Sequence, residues 1–211
     1  MSWFFKGLRK GVQTEDEPKP EHEPMWATKL IPAGLGERAS RPDVHCPTDA
    51  LGKDGWESRR CIFCRLCEPA YTPSGDHKLA SVNRSQPAFR RSFHVFPIDV
   101  GSCGGCNTEL RLIAAPQLDM TRFGIFFTGT PRHADGLIVM GEPNELMKEP
   151  LMRAYRAMPS PKLVIALGAC ALSGEVFEKL GIREEVLVPG CPPSPYTILD
   201  ALIRAKGGKG W

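Results

Sequence analysis

Several apolar, β-rich runs in this sequence end in a glycine-containing loop with cysteine, and this arrangement constrains the fold most. FHVFPIDV (93–100) leads to Cys103 and Cys106, PKLVIALGA (161–169) to Cys170, and EEVLVPG (184–190) to Cys191. Two further runs, 123–130 and 134–141, are also apolar and are typical of strands. Between the strands, the patterns of 108–115 and 145–158 predict helices. Ser194-Pro195 predicts the start of a last helix. Strands alternating with helices predict an α/β fold, a flavodoxin-like doubly wound parallel sheet, preceded by an irregular N-terminal extension.

The four cysteines of these loops should meet at one edge of the sheet. In open parallel sheets, ligands bind beyond the carboxyl ends of the strands. Cys103, Cys106, Cys170 and Cys191 all follow such ends. The sequence therefore predicts four thiolates from three separate loops at a single site.

Four converging thiolates suit a 4Fe–4S cluster, which takes one thiolate per iron. Gly101, Gly104 and Gly105 allow sharp turns and offer backbone N–H groups to cluster sulfurs. Zinc bound by four cysteines is the alternative, although zinc sites more often pair two CxxC knuckles. The pattern favours iron–sulfur over zinc and leaves both open.

Composition excludes several functional classes. The chain has 211 residues, 42% of them hydrophobic, and a formal net charge of +3, too mild to indicate nucleic-acid binding. No apolar run approaches the roughly 20 residues of a membrane span, and the N-terminus does not resemble a signal peptide. A cytoplasmic chain keeps its thiols reduced, so its 8 cysteines indicate metal ligands rather than disulfides.

The other four cysteines form a second candidate site. Cys61, Cys64 and Cys67 have the C-x2-C-x2-C spacing of bacterial ferredoxins, and Cys46-Pro47 resembles the Cys-Pro element that supplies the fourth ligand. Tyr71 and Thr72 stand where a second ferredoxin cluster would need Cys-Pro. The segment therefore resembles half of a two-cluster ferredoxin. Two alternatives stay open: a zinc knuckle, or a three-ligand site without Cys46.

Four motifs in order then make the sequence recognisable: DVGSCGGCNTEL (99–110), PRHADGLIVMGE (131–142), PSPKLVIALGAC (159–170) and VPGCPPSP (188–195). They resemble the proximal-cluster subunit shared by complex I (NADH-quinone oxidoreductase) and the group 4, energy-converting nickel–iron hydrogenases. The resemblance covers roughly residues 93–205. It implies a flavodoxin-like fold with a 4Fe–4S cluster on Cys103, Cys106, Cys170 and Cys191.

One detail of the resemblance favours the hydrogenase branch. Quinone-reducing members carry two adjacent cysteines at the first site, whereas here Gly104-Gly105 separates Cys103 from Cys106. The resemblance then implies an oxidoreductase subunit that is not catalytic alone and passes electrons through two 4Fe–4S clusters. Its implied partners are a large subunit carrying nickel–iron, a ferredoxin-like electron-transfer subunit and integral membrane subunits. The expected location is cytoplasmic, peripheral on the inner face of the cell membrane.

Two further functions compete with that interpretation. One is the corresponding complex I-like subunit of a nickel-free enzyme that reduces quinone or another acceptor. The other is a zinc-stapled structural or adaptor subunit without a redox role.

The expected organisation has four parts: an N-terminal arm or linker (1–45), the half-ferredoxin-like segment (46–75), a connector (76–92) and the proximal-cluster domain (93–211). Residues 1–11 suit either an amphipathic helix touching a membrane or a frayed terminus.

A few other polar residues are candidates for the site. Glu109 is either a proton-path group or a polar residue whose charge suits the first turn of a helix. Arg132 and His133 would tune a cluster or form an interface, and Glu142 would serve the site or begin a helix.

Overall fold

The computed structural model describes Phe5, Arg9 and residues 35–38, 45–52, 55–67, 71–73, 76, 78–142, 144–174 and 176–210. The interpretations of 1–11 as a membrane-touching helix and of 1–45 as an N-terminal arm or linker fall almost entirely outside these residues.

Short strands characterise the described part of the N-terminal segment. They are β1 (Leu35–Arg38), β2 (Leu51–Gly52), β3 (Gly55–Trp56) and β4 (Tyr71–Pro73). β1 pairs antiparallel with β4, and β2 with β3. The pairing of β2 with β3 places a small hairpin between Cys46 and Cys61, so local backbone bonds fold this segment back on itself.

A six-stranded sheet forms the centre of the molecule. Its strands are β5 (Ser81–Val82), β6 (Phe93–Asp99), β7 (Ile125–Phe127), β8 (Gly136–Met140), β9 (Leu163–Leu167) and β10 (Val186–Val188). They lie in the order β5-β10-β9-β8-β6-β7. The five strands β6–β10 are parallel and have the flavodoxin order 2-1-3-4-5. The predicted fold class is thus confirmed.

Five α-helices accompany the sheet in the described residues. They are α1 (Gly105–Leu112), α2 (Glu145–Ala157), α3 (Ala169–Ser173), α4 (Val176–Leu180) and α5 (Pro195–Ala205). Turns of 3-10 helix span Pro87–Phe89, Met120–Phe123 and Pro131–His133. The predicted Ser194 cap of α5 is present, since its hydroxyl accepts from Tyr196 N at 3.3 Å.

Alternating strand residues build one core on each face of the sheet. Ile138 and Met140 of β8 pack with residues of α1 and α5, whereas Leu137 and Val139 pack with residues of α2, α3 and α4. All four side chains are essentially inaccessible to solvent. Burying such a side chain contributes about 1.5–3 kcal/mol, so strands that are apolar on both faces require helices on both sides.

Two features differ from the sequence-based expectation. α1 begins at Gly105 rather than near 108. The antiparallel strand β5, within the stretch predicted as a connector, adds to the sheet beside β10 through Val82 and Ser81. The proposed domain boundaries themselves stay a prediction.

Candidate metal centres

The first group of cysteines lies at the carboxyl edge of the parallel sheet. Cys103 and Cys106 follow β6, Cys170 lies in α3 directly after β9, and Cys191 follows β10. Cys106 is half-buried and the other three are exposed. The sheet order places β9 and β10 side by side, with β8 between β9 and β6.

Asp99, the last residue of β6, organises the loop that carries Cys103. Its carboxylate accepts hydrogen bonds from Gly101 N at 3.0 Å, Ser102 N at 2.8 Å and Ser102 Oγ at 2.7 Å. It also accepts from Asn107 Nδ2 at 2.5 Å. Burial by itself raises the pKa of Asp99, but these hydrogen bonds outweigh burial and lower the pKa to about 2. A carboxylate that is ionised at neutral pH therefore joins the end of β6 to the first turn of α1.

Glycines bring the cysteine loops into contact. A Cβ at Gly168 would lie 2.6 Å from Cys106 Sγ, and one at Gly105 would lie 3.6 Å from Cys103 Sγ and 3.7 Å from Pro192 Cβ. Gly168 has φ +91°, a conformation that L side chains rarely adopt. Ala169 N donates to Gly190 O at 2.8 Å, which ties the Cys170 loop to the Cys191 loop. These contacts place the loops that carry the four cysteines beside one another, and a shared site for their sulfurs stays a prediction.

Burial and mutual repulsion disfavour the ionised form of two of these thiols. Burial, followed by the charges of Cys170, Cys191 and Cys103, raises the pKa of Cys106 to about 12. Burial and the charges of Cys170 and Cys103 likewise raise the pKa of Cys191. Each charged thiolate makes it harder for its neighbours to lose a proton. A bound metal offsets this repulsion, because a thiol that coordinates a metal is deprotonated. The donor set and the glycine-lined approach fit an iron–sulfur cluster.

The second group of cysteines lies in the N-terminal segment. Cys46 Sγ accepts from Ala50 N at 3.3 Å and lies 3.6 Å from Thr48 Oγ1, and Phe63 N donates to Cys61 Sγ at 3.4 Å. Although burial raises the pKa of Cys46, the hydrogen bonds from Thr48 and Ala50 outweigh it and lower that pKa. Hydrogen bonds of this kind stabilise a thiolate.

The other three cysteines of the second group affect the ionisation of Cys67. Burial raises the pKa of Cys67, and the charges of Cys61, Cys64 and Cys46 raise it further. The charge of Cys46 thus acts on Cys67, and whether Cys46 is a ligand or a bystander stays a prediction. Among the described residues, no three His, Cys, Asp or Glu side chains are arranged to hold a single metal ion. The ligand roles of both groups stay predictions.

A cleft of about 300 Å³ is lined by sequence neighbours of Cys64 and of Cys191. Its walls include Phe63 from the N-terminal segment, Glu109 from α1, Pro192 beside Cys191, and Thr197 from α5. Thr197 is 3% exposed, and its hydroxyl has no hydrogen-bond partner in the described part of the chain. Glu109 is half-buried on a cleft wall, and its predicted proton-path role stays a prediction.

The remaining polar candidates lie at different ends of the sheet. Glu142 follows β8 at the carboxyl edge, where a Cβ on Gly101 would clash with its carbonyl oxygen. Arg132 and His133 form a 3-10 turn before β8, at the opposite end of that strand from Glu142. The position of this turn does not bring it to the cysteine loops.

Sequence reasoning missed Asp99, Phe63 and Thr197. Asp99 carried a usable signal, because an aspartate followed by Gly-Ser at a strand end is typical of a side-chain-capped turn. Phe63 and Thr197 carried no such sequence signal, because they lie on the same cleft only after the chain has folded.

The match to known proteins coincides with this sheet and its loops. Residues 103–205 match the family model described as NADH ubiquinone oxidoreductase, 20 Kd subunit. A probable membrane-bound hydrogenase subunit mbhJ of Pyrococcus furiosus is 40% identical over 124 residues, which cover 54% of this chain and 74% of the relative. This chain belongs to that family.

Other members have names from both branches of the family. An NADH-quinone oxidoreductase subunit of Citrifermentans bemidjiense is 36% identical over 143 residues, covering 64% of this chain and 83% of that protein. Formate hydrogenlyase subunit 7 of Escherichia coli is 36% identical over 142 residues, covering 63% of this chain but only 56% of that protein. The chain is thus a member of a family of oxidoreductase subunits. Among its described residues, no helix has the length and apolar character needed to cross a membrane.

Proposed function

We propose that this chain is an electron-transfer subunit of a membrane-associated oxidoreductase complex and holds two 4Fe–4S clusters. The placement of four cysteines, on three loops, at the carboxyl edge of the parallel sheet is the observation that carries the proposal. Family membership supports it, because the named relatives are subunits of hydrogenases and of NADH-quinone oxidoreductase.

Cys103, Cys106, Cys170 and Cys191 would hold the proximal cluster, and Cys46, Cys61, Cys64 and Cys67 the second one. Each cluster, when bound, supplies one-electron transfer at a potential set by its surroundings. The chain contributes the geometry: Asp99 fixes the Cys103 loop, Gly168 leaves space for Cys106 Sγ, and Ala50 N bonds to Cys46 Sγ.

The partner of the proximal cluster would be a large subunit with a nickel–iron centre. Separation of Cys103 from Cys106 by two glycines supports this, as do relatives named for formate hydrogenlyase and membrane-bound hydrogenase. Relatives named for NADH-quinone oxidoreductase support a second candidate, a nickel-free enzyme reducing quinone or another acceptor.

Further partners would be a ferredoxin-like subunit that exchanges electrons with the second cluster and membrane subunits that anchor the complex. This chain would then lie peripherally on the inner face of the cell membrane. The name of the Pyrococcus relative supports that placement.

Metal analysis of the native complex, captured through a tag on this chain, tests the proposal. We expect brown protein with about eight irons and eight labile sulfides per chain beyond those of its partners. About one nickel per chain would favour the hydrogenase. Iron and sulfide without nickel would favour the quinone-type enzyme, and colourless protein with about two zinc ions per chain would overturn the electron-transfer role.

Serine variants separate the two clusters. Cys170→Ser and Cys64→Ser should each remove about four irons per chain, because each cluster needs a full thiolate set. Ser85→Ala, an exposed control between β5 and the 3-10 turn at Pro87–Phe89, should retain all eight. Full iron content in Cys64→Ser would show that its segment does not hold a second cluster.

A further inference from the structure

Phe63 occupies a distinctive place relative to the two groups of cysteines. It sits within the C-x2-C-x2-C run, directly before Cys64, and its backbone N–H donates to Cys61 Sγ. Phe63 also lines the cleft of about 300 Å³ described above, together with Gly190 and Pro192, which flank Cys191. Phe63 is therefore part of the segment that carries the second group of cysteines, and it lines the same cleft as the loop of Cys191.

The backbone at Phe63 is held in an uncommon conformation. Its φ is +54°, in the left-handed region, and Arg65 follows with φ +62°. Bulky side chains rarely adopt that region, and such a conformation persists only where surrounding structure enforces it. The turn of the cysteine loop thus keeps the ring on the cleft side at some cost in backbone energy.

Packing fixes the ring from the other side. Phe63, Trp56 and Tyr196 all pack against Leu79, which is 8% exposed. The rings of Trp56 and Phe63 meet edge to face with centroids 6.1 Å apart. Tyr196 belongs to the first turn of α5, five residues after Cys191. Phe63 is therefore locked between the N-terminal segment and the sheet domain.

We propose that electrons pass between the two clusters through the Cys191 side of the proximal cluster, with Phe63 as the residue that positions and couples the second cluster. This inference rests on the proposed function, since it requires both clusters. One electron leaves the reduced cluster, which becomes oxidised, and enters the other, which becomes reduced. No bond forms or breaks and no proton is required at Phe63.

The reason is spatial. Of the four cysteines of the first group, Cys191 is the one flanked on both sides by cleft-lining residues, Gly190 and Pro192. The Phe63 ring occupies one wall of the cleft, so removing it would widen the cleft and admit more water between the clusters. Removing the ring should therefore weaken the coupling without removing a ligand.

Electron paramagnetic resonance on the iron-loaded full chain tests this. After complete reduction with dithionite, we expect a spectrum broadened or split by interaction between two neighbouring paramagnetic clusters. Rapid freeze-quenching after substoichiometric reduction then follows the electron from one cluster to the other. Phe63→Leu should slow that transfer severalfold, whereas Phe63→Tyr, which retains the ring, should restore it.

Ser85→Ala is the control, because Ser85 is exposed and neither packs against Leu79 nor lines the cleft. It should transfer electrons at the unaltered rate, and all variants should retain about eight irons. Two non-interacting signals in the unaltered chain, or an unchanged rate in iron-replete Phe63→Leu, would overturn the route. Only four irons in the unaltered chain would instead show that the second cluster, and hence the proposed function, is wrong.

Discussion

At the scale of single residues, Cys46 and Cys106 have opposite surroundings although both are proposed cluster ligands. Hydrogen bonds lower the pKa of Cys46 despite its burial, whereas burial and neighbouring thiolates raise that of Cys106 to about 12. Since the thiolate is the reactive form, cluster-free chain at pH 8 should be alkylated faster at Cys46 than at Cys106.

The pH dependence follows from the same values. A lowered pKa means that the thiolate of Cys46 is fully formed at a lower pH, so its rate should level off first. The rate at Cys106 should still be rising near pH 10, because its pKa lies above that value. Mass spectrometry of timed iodoacetamide reactions measures both rates. In urea, where the chain is unfolded, the alkylation rates of Cys46 and Cys106 should be equal. Equal rates in the folded chain would contradict this account.

Thr197 makes a second prediction at this scale. Its hydroxyl is buried and has no hydrogen-bond partner among the described residues, and such a group costs about 1–3 kcal/mol. Thr197→Val should therefore raise the free energy of unfolding by about 1 kcal/mol, measured by urea titration. Thr121→Val is the control: its hydroxyl donates to Asp119 at 2.5 Å, so its removal should be neutral or destabilising. A loss of stability in Thr197→Val would contradict the prediction.

At the scale of elements, the turn from β9 into α3 determines how closely the cysteine loops approach. Gly168 has φ +91°, and an added Cβ would lie 2.6 Å from Cys106 Sγ. Gly168→Ala should therefore displace Cys106 and lose about four irons per chain, measured by iron analysis. Gly181→Ala is the control, because its φ is +63° and an added Cβ would have no atom within 4 Å. Equal iron loss in both variants would indicate backbone strain rather than crowding at the sulfur.

Some of these elements could be predicted from the sequence and others could not. Strands β6–β10 were predictable because they are apolar on both faces, and their parallel order with cysteines at the ends predicted the edge that carries the first group. Strand β5 was not predictable, because the two residues Ser81 and Val82 are too few to show an alternating pattern. They pair with β10 only because its edge is free. The start of α1 was missed because Gly105 and Asn107 are poor helix formers, and Asp99 holds them in place through Asn107.

At the scale of the whole molecule, an ion pair and an apolar cluster among the described residues join the N-terminal segment to the sheet domain. One is the ion pair between Arg59 and Glu184 at 2.8 Å, with side chains 44% and 23% exposed. The other is the apolar cluster of Trp56, Phe63 and Tyr196 around Leu79. Exposed ion pairs contribute about 0.2–1 kcal/mol, whereas truncating a buried leucine costs about 2–5 kcal/mol. The apolar cluster should therefore dominate.

Leu79→Ala should accordingly lower the free energy of unfolding of the iron-loaded chain by about 2 kcal/mol, the low end for a small cluster. Arg59→Ala, the control on the other interaction, should cost less than about 1 kcal/mol and lose even that in high salt. Urea titration followed by cluster absorbance measures both. A loss in Arg59→Ala equal to that in Leu79→Ala would mean that charge rather than apolar packing holds the second group of cysteines against the sheet. The Phe63 route would then lack the packed support around Leu79 on which it depends.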